Sequence, residues 1–113
     1  MKQNKEKLSK IIDEILTYLF SIGATDISVR VQEKEKEFIV HIQSDFALGH
    51  EKKIKQMSKF LNVPRQRDME EYYWNLTGTS HVGKELFVVG IMIDRVEIST
   101  EGQQLEIYLY RQK

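Results

Sequence analysis

The densest group of chemically capable side chains is Gly78-Thr79-Ser80-His81-Val82-Gly83-Lys84-Glu85. Gly78, Thr79 and Ser80 have the small and hydroxyl-bearing composition of an anion-binding turn, and Lys84 follows close by. A loop leading into a helix N-cap is the plainer reading of the same residues. The three histidines, His41, His50 and His81, show neither HxxxH nor HxH spacing, so no metal site is expected. There is no cysteine, which removes disulfides, thiolate ligands and thiol nucleophiles together. No serine stands in a Gly-x-Ser-x-Gly elbow, and a Ser/His/Asp triad has no anchor. Glu14 is a lone carboxylate on a helical stretch, expected to be exposed. Asp45 and Gly49 read most simply as a helix cap and a turn residue. The chain thus contains no complete catalytic or metal site.

Groups suited to contact rather than reaction are more concentrated. Lys52, Lys53, Lys55, Lys59, Arg65 and Arg67 form the basic cluster of a chain whose Lys+Arg and Asp+Glu counts are both 17. That balance argues against a dedicated nucleic-acid or membrane-surface binder. A solvated helix face is the default, and contact with an acidic partner is the alternative. Tyr72, Tyr73 and Trp74 are adjacent, and successive helical residues are about 100° apart, so at least one should lie at a margin. Tyr and Trp at such margins favour interfaces, while core packing is the competing assignment.

The elements that must position these groups follow from periodicity. Leu8, Ile11, Ile12, Ile15, Leu16, Leu19 and Phe20 mark an amphipathic helix that Gly23 stops. Ile27, Val29 and Val31, then Phe38, Val40 and Ile42, alternate across the charged turn Glu33 to Glu37 and predict a hairpin. Ile54, Met57 and Leu61 predict a helix ended by Asn62-Val63-Pro64. Met69, Tyr72, Tyr73 and Leu76 predict another over Gln66 to Leu76. Leu86 to Ile93 is an apolar run that periodicity alone leaves between strand and helix. Val96 and Ile98, a turn at Glu101-Gly102, then Leu105, Ile107 and Leu109 predict a second hairpin. At 113 residues this is the content of one domain. The eight-residue run is far short of the roughly 20 residues of a membrane helix, and no signal peptide is read in the charged N-terminus. The expected location is cytoplasmic.

This order, together with several box positions, resembles the Bergerat-type nucleotide-binding domain of the GHKL ATPase superfamily, which includes histidine kinases and anti-sigma factor kinases. The likeness extends from about Leu8 to Tyr110. Glu14 and Gly23 match the ends of the family's N-box, while Tyr18 stands where an Asn would coordinate Mg²⁺. Asp45-Phe46-Ala47-Leu48-Gly49 has the spacing of the box whose Asp accepts a hydrogen bond from adenine. Gly83 matches the later glycine box, with Glu85 at the next glycine, and Gly102-Gln103 stands at a Gly-Thr pair. Met92-Ile93-Asp94-Arg95-Val96 resembles the end of a helix leading into a strand, so the resemblance implies a helix over Glu85 to Asp94. It also implies that Glu14 is the carboxylate that polarises water, that Asp45, Gly49, Gly78, Thr79, Ser80, Gly83 and Lys84 are nucleotide-binding candidates, and that the Tyr72 to Trp74 region is a lid that contacts partners.

The expected fold is a two-layer α/β sandwich, a mixed sheet of four or five strands with helices on one face. The favoured function is a regulatory, protein-binding module in which nucleotide binding is weak or lost and no cofactor is held. The alternative is a small ATP/Mg²⁺-binding serine protein kinase of the anti-sigma factor type. The partner is expected to be a protein or a second copy, through Lys52 to Leu76, with Tyr72, Tyr73 and Trp74 as interface candidates.

Overall fold

A computed structural model describes residues 2–73 and 84–113. Among them the order is α1 (Lys2–Ser21), β1 (Ile27–Glu33), β2 (Glu37–Asp45), α2 (Glu51–Leu61), α3 (Arg67–Tyr73), α4 (Lys84–Gly90), β3 (Arg95–Glu101) and β4 (Gln104–Gln112). The strands form one sheet in the order β1-β2-β4-β3. Every pairing is antiparallel, which corrects the expected mixed sheet. Each hairpin is antiparallel by construction, and the two hairpins join through β2 and β4, which also run in opposite directions.

Alternation along β2 and β4 sends Phe38, Val40 and Ile42 with Leu105, Ile107 and Leu109 into the core, where all are buried. α1 covers them with Leu8, Ile11, Ile15, Tyr18 and Leu19, and Ile22 in the turn that follows joins the same core. Phe20, expected on this stripe, is 63% exposed. It lies about 100° beyond Leu19, past the edge of a stripe centred on Ile11, Ile15 and Tyr18. The helix ends in a Schellman arrangement: Ala24 N–H donates to the Leu19 carbonyl at 3.0 Å and Gly23 N–H to the Phe20 carbonyl at 3.1 Å. Gly23 has φ +84°, and a Cβ there would sit 2.7 Å from that of Ala47. Both the backbone conformation and the close approach of the β2–α2 loop therefore call for glycine.

The ambiguous apolar run resolves as a helix that unwinds. Leu86 and Val89 are buried on α4, and the chain then turns so that Ile91, Met92 and Ile93 are buried as well. The helix ends at Gly90 rather than Asp94. At Gly90 it meets the end of α2 so closely that a Cβ would lie 2.3 Å from the Phe60 carbonyl oxygen. Among the described residues no helix is long and apolar enough to cross a membrane.

Candidate functional site

The first helix brings Glu14 and Tyr18 to its inward side. Glu14 is 4% exposed, a correction to the exposed carboxylate expected from sequence. Positions 7, 11, 14 and 18 recur at helical spacing, so Glu14 shares a stripe with Lys7, Ile11 and Tyr18. Tyr18 is equally buried, and its hydroxyl donates to the Lys53 carbonyl at 2.7 Å. Burial pushes its pKa up, so the phenol stays neutral and joins α1 to the first turn of α2.

Asp45 ends β2, and its carboxylate turns back onto the α1–β1 loop. It accepts hydrogen bonds from Thr25 N–H at 2.7 Å, Asp26 N–H at 3.0 Å and the Thr25 hydroxyl. These bonds, that of the Thr25 side chain foremost, hold the carboxyl below its ordinary pKa. Asp45 does not cap α2: the N-cap is His50, without a side-chain cap bond. Gly49, with φ +91°, does serve the turn before it. Phe46 is buried and Leu48 is 75% exposed. Gln103 reaches the same loop, where Phe46 N–H donates to its carbonyl and its Nε2 donates to the Phe46 carbonyl, at 3.1 and 3.0 Å.

Lys84 opens α4, and Tyr73 closes α3. Trp74, Gly78, Thr79, Ser80 and Gly83 lie outside the described residues, as does the remainder of the predicted Gln66 to Leu76 helix. Tyr72 is 69% exposed. On α2, Lys52, Lys55 and Lys59 form an exposed stripe opposite buried Ile54, Met57 and Leu61. Arg65 departs from this basic surface, since its side chain is 7% exposed.

Arg65 belongs to a buried ionic cluster that sequence reasoning missed. Glu70, from α3, is its centre. Arg111 holds the Glu70 carboxylate with both terminal nitrogens, at 2.9 and 2.8 Å, and also donates to the Met92 carbonyl and Asn4 Oδ1. Lys7 donates to Glu70 at 2.9 Å and to Glu71. Arg65 bridges Glu70 at 3.1 Å and Asp94 at 2.8 Å. Burial pushes the Glu70 pKa up, but the hydrogen bonds and charges of Arg111, Lys7 and Arg65 prevail and hold it at about 2. Two signals lay in the sequence. Arg111 continues the inward series Leu105, Ile107, Leu109, and Lys7 precedes Ile11 by one helical turn. The cluster fastens α3 to α1 and β4; its groups are paired with one another, an arrangement suited to anchoring rather than turnover.

The opposite face of the sheet carries a different arrangement. His41 stacks on Tyr108 with ring centroids 4.2 Å apart and planes 7° apart, and His41 Nε2 lies 2.7 Å from Glu106. Arg95 sits over the Tyr110 ring at 4.0 Å, and the Tyr110 hydroxyl donates to Glu97 at 3.1 Å. At one end of the sheet is a polar cleft of about 460 Å³, lined by serines and by Asp26, Glu101 and Glu106, without a cation. Such a lining repels phosphate. Among the described residues no group of three or more His, Asp or Glu could hold a metal ion. Fold and site together define an α+β protein with a four-stranded antiparallel open sheet, helix-covered on one face. No family model matches the chain, and no curated protein matches it.

Proposed function

We propose that this chain is a regulatory, protein-binding module whose shape resembles a GHKL nucleotide-binding domain and whose nucleotide chemistry is weak or lost. The observation that carries this reading is Tyr18. At the position where the resemblance implies a magnesium-coordinating Asn, a buried phenol spends its proton on the Lys53 carbonyl. A neutral phenol is a poor partner for Mg²⁺, which takes compact oxygen ligands. Asp45 supports the same view, because both carboxylate oxygens already serve the loop at Thr25 and Asp26. An adenine amino group would compete with bonds that hold the fold. With no nucleotide to enclose, the exposed α2 lysine stripe and exposed Tyr72 offer a basic surface with an aromatic group to an acidic protein partner, within the stretch from Lys52 to Leu76 whose sequence continues with Tyr73 and Trp74.

Calorimetric titration with ATP, with and without Mg²⁺, tests this directly. No Mg²⁺-dependent binding tighter than about 1 mM, roughly −4 kcal/mol, is expected. A micromolar dissociation constant that weakens in Asp45→Asn would overturn the proposal and favour a small anti-sigma-type serine kinase.

A further inference from the structure

We infer that the sheet face left uncovered by the described residues is a self-complementary docking surface for a second copy of this chain, separate from the α2 surface proposed above. The strand register sets the pattern. One row across the sheet reads Arg30, His41, Tyr108, Glu97 in strand order β1-β2-β4-β3. The rows on either side read Gln32, Ile39, Tyr110, Arg95 and Ser28, Gln43, Glu106, Ser99. Arg30 and Glu97 are exposed at opposite edges, while Ile39, His41, Tyr108 and Tyr110 are half-buried between them. These are the residues that alternation turns away from the helices.

Two such faces can pack about a twofold axis that runs parallel to the strands between β2 and β4. Each row then meets its own reverse. Arg30 lies opposite Glu97 of the second copy, His41 opposite Tyr108, Ile39 opposite Tyr110, Gln43 opposite Glu106 and Gln32 opposite Arg95. No like-charged pair occurs in these three rows. The row at the sheet end brings Asp26 towards Glu101, an unfavourable pair, but both are exposed at the rim, where solvent and salt screen it. A nucleic acid would meet Glu97 and Glu106, and an acidic protein would meet the same two groups. Across the three central rows a second copy presents an opposite or neutral group to each charge.

The face measures about 20 by 23 Å from strand spacing and rise, so a dimer would bury on the order of 1,000 Å² in total. That is the lower bound for a specific contact, so the dimer should be of micromolar strength and weaken with salt.

Sedimentation equilibrium on wild type, Arg30→Glu, Glu97→Arg and an equimolar mixture of the two variants tests the inference. Each single variant places like charges at both edges of the homodimer and should raise the dissociation constant about tenfold or more. In the mixture every edge pair is again opposite, so a heterodimer of nearly wild-type affinity should return. Far-ultraviolet circular dichroism checks that the variants fold, and both substitutions are at exposed edge positions. A wild type that stays monomeric at millimolar concentration overturns the inference. So does a dimer indifferent to both substitutions, or a mixture no tighter than its components. None of these outcomes depends on whether ATP binds, so the proposed function is tested separately.

Discussion

Strands β2 and β4 present one backbone to two different surroundings. On the inner face Ile42 and Ile107 pair in register and are fully buried. On the outer face the neighbouring pair is His41 and Tyr108, half-buried and stacked. Both faces also carry ionic groups, and there the difference is instructive. Inside, Arg111 and Glu70 are 2% and 3% exposed and linked by two charge-assisted hydrogen bonds. Outside, His41 and Glu106 keep 23% and 38% side-chain exposure. A buried charge without its partner cannot recover its lost hydration, whereas an exposed one turns to water. The inner contacts are therefore obligatory for the fold, while the outer ones leave the surface free to exchange its partners.

Removing the guanidinium that holds the central Glu70 carboxylate with two hydrogen bonds is the strongest way to break this contrast. Arg111→Ala should cost about 3 to 5 kcal/mol, because Glu70 would keep its charge in a buried site with fewer donors. Urea unfolding measures it, and a loss below about 1 kcal/mol would make the inner cluster no different from a surface pair.

Acid should erode the inner face by a smaller, pH-defined amount. The Glu70 carboxyl has an ordinary pKa of 4.5 and a folded value of about 2. Between those values the unfolded chain binds more protons, so stability falls as pH falls. The contribution is fully present above about 4.5 and disappears as pH approaches 2. The stability gap between wild type and Glu70→Gln should therefore narrow over that window in urea melts at successive pH values. A gap constant from neutral pH down to the acid limit would contradict the assignment.

The outer face should give the smallest effect. His41→Ala removes a stacked ring and a half-exposed carboxylate contact, and should cost about 1 kcal/mol or less. The measurement belongs at low protein concentration, where folding is not coupled to association. A cost comparable to that of Arg111→Ala would mean that the two faces are equally structural.

Periodicity along the chain was enough to place the two hairpins, α1, α2 and the stop at Gly23, because each depends on neighbours within a few residues. Backbone conformation and apolar spacing are local quantities. The helical reading of Leu86 to Ile93 came from the family resemblance rather than from propensity, and the structure keeps it only as far as Gly90. There the contact with the Phe60 carbonyl decides how the chain leaves the helix. Strand direction was misjudged in the expected mixed sheet, since the joining of β2 to β4 is a pairing between distant segments. Tyr18, Asp45 and Glu14 were singled out by type and position, but their bonds and burial emerged only in the folded molecule. The ionic cluster shows the same limit most plainly. Glu70 is 41 residues from Arg111 and 63 from Lys7. Opposite charges along a chain are abundant, and only the packing of α1, α3 and β4 selects which of them lose their water together.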